Sequence, residues 1–110
     1  MICDSWDVVV VPFPFTERAG QKRRPALVLS GSQAFNQHGH SVMAMITSST
    51  LPWALDTPLK EHALAGLSAT CAVRLKLFTL DNRLIIRRIG RLSGEDQNGV
   101  ASALKTMLPF

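Results

Sequence analysis

Residues 7 to 13, "DVVVVPF", are apolar at every position after the aspartate. A β-branched run of this kind predicts a buried strand. Pro12 removes one ladder donor, which implies an edge or a bulge there. "PFTERAGQKRR" follows with proline, glycine and charge but no period, and predicts a long loop. "PALVLS", residues 25 to 30, predicts a second strand antiparallel to the first. Connections of that length inside a compact domain tend to be functional.

"GSQAFNQHGH" offers Ser32 as the N-cap of one helical turn, which Gly39 then breaks. "SVMAMIT", residues 41 to 47, predicts a third strand. "SSTLPWALD" is a polar, proline-containing loop, and "TPLK", residues 57 to 60, a short fourth strand. "EHALAGLS" reads as a loop or turn. In "TCAVRLKL", residues 70 to 77, Cys71, Val73, Leu75 and Leu77 alternate toward a core. Thr70, Arg74 and Lys76 share the opposite face. "FTLDNR" reads as a turn and "LIIRRIGRL" as the last strand, with Gly90 marking a bulge.

"SGEDQNGVASALKTMLPF" closes the chain as a helix. Ser93 is its N-cap, and Asp96 three residues on resembles a capping box. Val100, Ala103, Leu104, Met107 and Leu108 recur at helical spacing on one face. Gly99 weakens the helix slightly and Pro109 stops it. Several strands and one late helix predict a mainly β fold: a small, strongly curved antiparallel sheet or barrel with the helix packed on it.

Length sharpens this picture. At 110 residues the chain holds one domain, residues 1–110, with a single modest core. An apolar content of 46% implies a folded domain. The net charge of +4 matters less than its placement. Arg18, Lys22, Arg23 and Arg24 form one stretch, and Arg74, Lys76, Arg83, Arg87, Arg88 and Arg91 another. Such clusters suit a phosphate-bearing or acidic partner, and equally a solvated basic surface. Of the two cysteines, Cys3 lies near a loose N-terminus and Cys71 in a buried alternation. No paired-cysteine or His/Cys ligand cluster implies a metal. The N-terminal "MICDSWD" lacks the features of a signal peptide, and no apolar run approaches a membrane span. A soluble, cytoplasmic protein with no membrane association is expected.

Candidate chemistry is sparse. There is no GxGxxG, Walker loop, HExxH or GxSxG. His38 and His40 flank Gly39, where they could do acid–base work or bind a metal; a polar turn is the simpler account. His62 is isolated. Arg24 differs from its basic neighbours because it directly precedes Pro25, which biases it to extended backbone. It also stands at a loop-to-strand junction, whereas Lys22 and Arg23 read as loop charges. A guanidinium held there could grip a phosphate. A salt bridge to Glu17 or Asp7 is the alternative. "ITSST", residues 46 to 50, ends the third strand in hydroxyls that either cap the next loop or donate to a phosphoryl oxygen. If strands two and three are neighbours, Thr47 and Arg24 meet at one edge.

"DVVVVPFPFTE", "GQKRRPALVLS", "AMITSS" and "LFTLDNRLIIRRIGRLS", in that order, resemble the MazF/PemK family, toxins of bacterial type II toxin–antitoxin modules. The resemblance spans about residues 7 to 108. It implies an SH3-like, gyrase-inhibitor-like antiparallel β-barrel with a short helix and a C-terminal α-helix. It further implies a sequence-specific endoribonuclease acting on single-stranded mRNA without metal or other cofactor. The 2′-hydroxyl of the RNA would attack, leaving a cyclic phosphate and a 5′-hydroxyl end. The implied partners are single-stranded RNA, a second copy in a homodimer, and a cognate antitoxin that covers the RNA groove; the antitoxin complex would bind DNA.

Carried over residue by residue, the resemblance makes Arg24 and Thr47 catalytic. Phe15, Thr16, Lys22, Arg23, Ser48, Ser49, Trp53, Arg74 and Lys76 become RNA-binding candidates. Phe15 and Trp53 would stack on bases or else anchor their loops. Two positions depart from the family pattern. One branch has Arg-x-Asp on the fifth strand, where this chain has Arg74-Leu75-Lys76, which favours Arg24 with Thr47 over a carboxylate base. Trp6 stands where the family usually has glycine. A gyrase-inhibiting, protein-binding toxin of the same fold and a non-catalytic RNA-binding module are the rival functions. The terminal "KTMLPF" lacks the exposed Trp-containing tail expected of a gyrase poison, and its apolar residues fit helix packing.

Overall fold

The structure, a computed structural model, describes residues 1–13 and 22–110. Its strands are β1 (Asp7–Phe13), β2 (Lys22–Val28), β3 (His40–Thr47), β4 (Thr57–Pro58), β5 (Ala72–Asp81) and β6 (Arg87–Arg91), followed by one helix, α1 (Gly94–Met107). They form a single antiparallel sheet in the order β4-β5-β3-β2-β1-β6. The sheet curls into a half-barrel.

Both faces of the sheet are covered, which is why "VVVV" shows no alternation. Val8, Leu27, Ala44, Ile46 and Val73 point to one side, where Leu59, Ala65, Leu92 and Val100 of α1 complete a core cluster. Val9, Val11, Ala26, Val28 and Met43 point to the other, against Cys3, Leu80 and Ile85. Cys3, expected in a loose terminus, is thus 5% exposed inside a core. Beneath it lies a hydrogen-bonded polar layer. Asn36, fully buried, donates to the carbonyls of Cys3 and Ser30, both at 2.9 Å. Asn82 donates to the Asn36 carbonyl at 2.8 Å and accepts from Ser41.

Several boundaries differ from the sequence reading. β2 starts at Lys22, not Pro25, with Lys22, Arg23 and Arg24 across from Phe13, Pro12 and Val11. Lys22 and Arg23 are therefore strand residues, with side chains exposed beyond the core. Pro12 lies past the last β1–β6 pair, Val10↔Arg87, so the proline occupies a local edge. β4 shrinks to two residues because Leu59 turns into the core. β5 runs on to Asp81 through the segment read as a turn, since His40–Met43 of β3 pairs with it throughout. The β3 partner jumps from Leu77 to Arg74 between Ala44 and Met45, leaving Leu75 and Lys76 unmatched. A second irregularity, between Val8 and Val9, coincides with Gly90.

The turn at Phe35–His38 is a 3-10 helix with no side-chain cap; the Ser32 N–H instead donates to Asp4. Ser93 does cap α1, accepting from the Asp96 N–H at 3.2 Å. The Asp96 carboxylate does not complete the box. It turns away to accept from the N–H groups of Lys60 and Glu61, at 3.0 and 3.1 Å, and docks the helix on the 59–67 segment. Beyond α1, Leu108, which the helical spacing placed on the packed face, is 43% exposed, and Phe110, read from "KTMLPF" as fitting helix packing, is fully exposed.

Trp6 carries a left-handed backbone, φ +76°. Its N–H donates to the Val28 carbonyl at 2.7 Å and its carbonyl accepts from Leu92 at 3.1 Å. The ring packs on the first core cluster. Such a φ favours glycine, the residue that the family resemblance leads one to expect here.

Candidate functional site

The two central strands part at one end of the sheet. The β2–β3 ladder stops at Ala26↔Met45, because Pro25 has no N–H to extend it. β2 stays paired with β1 out to Lys22, and β3 with β5 out to Thr47↔Ala72. Each strand is thus held from outside while the seam between them is open. A cavity of about 370 Å³ lies at that seam. Arg24, Pro25, Thr47, Ser48 and Phe13 line it, with Ile46, Leu67 and Cys71 among its apolar walls. Burial pushes the Cys71 thiol up, which keeps it neutral.

Arg24 and Thr47 therefore share one cavity. Arg24 is exposed, and its guanidinium makes no hydrogen bond or ion pair with any described residue. Its alternative partner Asp7 is already engaged, by Arg88 at 2.9 Å and Arg91 at 3.2 Å. Glu17 lies outside the described residues, as do Phe15 and Thr16. Thr47 Oγ1 accepts from the Ser49 N–H at 3.0 Å, and Ser49 Oγ from the Leu51 N–H at 3.2 Å. The hydroxyls do cap the loop. A hydroxyl that accepts still has its own proton to donate, so the Thr47 cap leaves O–H free for a ligand.

Trp53 and Arg74 form a second unit. The Arg74 guanidinium lies 4.8 Å from the Trp53 ring centroid. It donates to the Leu51 carbonyl at 2.7 Å and to Asp56 at 3.0 and 3.3 Å. Asp56 also accepts from the Trp53 N–H at 2.9 Å. The Arg74 hydrogen bond, foremost, holds the Asp56 carboxyl below its ordinary range. Arg74 is thus packed against the 51–56 loop, not projecting into solvent. Asp56 was invisible as a site residue in the sequence; the only signal was a turn-like "PWALD".

The two basic stretches now separate. In the second, Arg74, Arg83, Arg88 and Arg91 pair with Asp56, Asp81 and Asp7. Lys76 and Arg87 stay exposed without an ion-pair partner among the described residues. In the first, Lys22, Arg23 and Arg24 are all exposed and unpaired among the described residues, and they lead to the cavity. His38 and His40 lie on the surface. Among the described residues no three His, Cys, Asp or Glu side chains converge as metal ligands, and no helix is long and apolar enough to cross a membrane.

Comparison with known proteins agrees with this architecture. No curated protein sequence matches the chain. A chain of the MazE–MazF complex (Form-III) from Deinococcus radiodurans superposes with a TM-score of 0.80 at 24% identity, over 100% of this chain and 99% of that one. An endoribonuclease in complex with its cognate antitoxin, from a mycobacterial species, gives 0.76 at 19% identity over 98% and 96%. The Mycobacterium tuberculosis toxin MazF-mt6 gives 0.77 at 20% over 94% and 97%. Identities this low establish the fold alone. Membership comes from the family model described as PemK-like, MazF-like toxin of type II toxin-antitoxin system, which matches residues 4–108. Nearly the whole chain, from before β1 to the end of α1, thus belongs to the PemK/MazF-like toxin family of type II toxin–antitoxin systems.

Proposed function

We propose that this toxin is a metal-independent, sequence-specific endoribonuclease that cuts single-stranded mRNA and so inhibits translation and growth. The supporting observation is the shared cavity of Arg24 and Thr47, one an unengaged cation and the other a hydroxyl with a proton to donate. The 2′-hydroxyl of the substrate gives up its proton to solvent as its oxygen attacks phosphorus, the bond from phosphorus to the 5′-oxygen breaks, and the 5′-oxygen takes up a proton from solvent. A cyclic phosphate and a 5′-hydroxyl result. Negative charge grows on the non-bridging oxygens of the five-coordinate phosphorus, where preorganised donors act most strongly. Arg24 and Thr47 supply them. An arginine is a poor base because its pKa is so high, so Arg24 serves the transition state by charge. Lys22 and Arg23 hold the strand's backbone, joined by Ser48, Ser49 and Lys76; Trp53 stacks on a base, and Phe15 and Thr16, outside the described residues, are assigned to RNA binding on the family resemblance alone.

The active form is a homodimer of this single domain, neutralised by a cognate antitoxin. The solved neighbours described as complexes with MazE or with a cognate antitoxin support that partner class. The test is purified protein with a long RNA in EDTA, with the product ends mapped. Cyclic-phosphate and 5′-hydroxyl ends that vanish in Arg24→Ala are expected. No cleavage, or cleavage untouched by Arg24→Ala, overturns the reading.

The exposed Leu108 and Phe110 favour one second reading, a gyrase-directed protein-binding toxin working through its chain end. A gyrase supercoiling assay with the full chain and with Phe110→Ala separates the two.

A further inference from the structure

We infer that Arg74 serves the RNA reaction through Trp53, holding that ring as a stacking platform for an RNA base, and does not itself grip the phosphate. The inference rests on the ribonuclease reading and concerns how its substrate is held.

Arg74 has few donors left to give. Its Nε and one terminal nitrogen already reach Asp56 and the Leu51 carbonyl, and its side chain is 12% exposed. A guanidinium so committed would have to release the loop to reach a phosphate. The Arg74 guanidinium carbon lies over the Trp53 ring, 4.8 Å from the centroid. Trp53 nevertheless stays 51% exposed. A ring backed by a cation and open elsewhere to solvent suits an unpaired base, and aromatic stacking tolerates any base.

The platform is also fixed in place. Asp56 accepts from both Arg74 and the Trp53 N–H, so the ring's backbone and its backing share one anchor. Arg74 pairs across the sheet with Met45, a residue of the cavity wall. The loop that carries Trp53 leaves β3 directly after Thr47 and begins with Ser48. The platform is thereby tied to the strand that bears the hydroxyl, and ordering it beforehand lowers the cost of binding.

The test combines a double-mutant cycle with a spectroscopic probe of the ring. Binding of a short random-sequence 2′-O-methyl RNA, which lacks the nucleophile, is measured for wild type, Trp53→Ala, Arg74→Ala and the double variant. Each single variant is expected to weaken binding about tenfold, within the range of one lost base stack. The double variant is expected to be no weaker than either single. With cleavable RNA the loss is expected in KM more than in kcat. Additive losses, or a fall in kcat confined to Arg74→Ala, overturn the inference.

Fluorine NMR of fluorotryptophan-labelled protein without RNA reads the ring itself. In Arg74→Ala the Trp53 resonance is expected to shift while that of Trp6 stays, which also reports that the fold survives. An unmoved Trp53 resonance overturns the inference. If wild type never cleaves RNA, the catalytic reading fails alone; the cycle on uncleavable RNA still decides the role of Arg74.

Discussion

Arg24 and Thr47 stand two register steps beyond the last β2–β3 pair, Ala26↔Met45, and both face the cavity that opens there. Neither owes its position to the other. Arg24 is aligned by Val11 on β1 and Thr47 by Ala72 on β5. Replacing either should therefore spare the fold. Under the ribonuclease reading, Arg24→Ala and Thr47→Ala each lose about 10²- to 10³-fold in cleavage rate. Arg24→Ala changes stability by no more than about 0.5 kcal/mol; Thr47→Ala, which removes the cap on Ser49, costs about 1 kcal/mol. Thr47→Ser keeps the hydroxyl and most of the activity. Paired cleavage assays and thermal melts check this. A collapse of the melt in Arg24→Ala would show the residue to be structural.

Trp6 supplies a prediction about backbone strain. Its φ of +76° costs a non-glycine residue roughly 1 kcal/mol, while its ring contributes packing to the core. Trp6→Ala loses the packing and keeps the strain, and should destabilise by about 2 kcal/mol. Trp6→Gly loses the same packing but relieves the strain, so it should be the more stable variant by about 1 kcal/mol. Glycine normally ranks below alanine. Urea titration of the two variants decides the order.

The buried Asn36 should be among the least replaceable polar residues. Asn36→Ala strips donors from the carbonyls of Cys3 and Ser30 and leaves a hole between them. The expected cost is about 3 kcal/mol. Asn36→Leu fills the hole without restoring either donor, so it should recover little. A leucine variant as stable as wild type, by denaturant midpoint, would refute this account.

Acid should release the Trp53 loop. The Asp56 carboxyl is lowered in the fold, chiefly by its hydrogen bond to Arg74, the cation that faces it. A depressed carboxylate stabilises fully above its unfolded value, about 3.9, and that contribution fades as pH falls through the folded value. The stability gap between wild type and Asp56→Asn is thus expected to stay constant from neutral pH down to about 4 and to narrow below it. Denaturant midpoints across that range measure the gap. Widening on acidification would contradict the sign.

Legibility differed by the range of the forces involved. β1, β3 and α1 were readable because local patterns of burial and capping define them. Arg24 and Thr47 were legible as a pair only on the premise that strands two and three are neighbours; the ladder supplies that. The start of β2 was missed because charge at Lys22 and Arg23 looks like loop, yet pairing with Pro12 and Phe13 extends the strand beyond the core. The role of Asp56 and the burial of Cys3 depend on partners 18 and 33 residues away, and nothing in their own neighbourhoods announces them. Trp6 shows the reverse: an odd residue in the sequence whose left-handed backbone angle is one that favours glycine, the residue the family resemblance leads one to expect there.

Among the described residues, the order of the sheet leaves β4 and β6 with a neighbour on one side only. Open strand edges recruit further strands and seed aggregation. β4 offers two residues, one of them Pro58. β6 opposes the irregularity between Val8 and Val9 and carries Arg87, Arg88 and Arg91 along five residues. Short length, proline, a kinked ladder and like charge are the means by which natural sheets stay soluble. The part of the second basic stretch that lies on β6, with Arg87 unpaired among the described residues and Arg88 and Arg91 shared with Asp7, thus puts charge on an edge where charge disfavours edge-to-edge pairing.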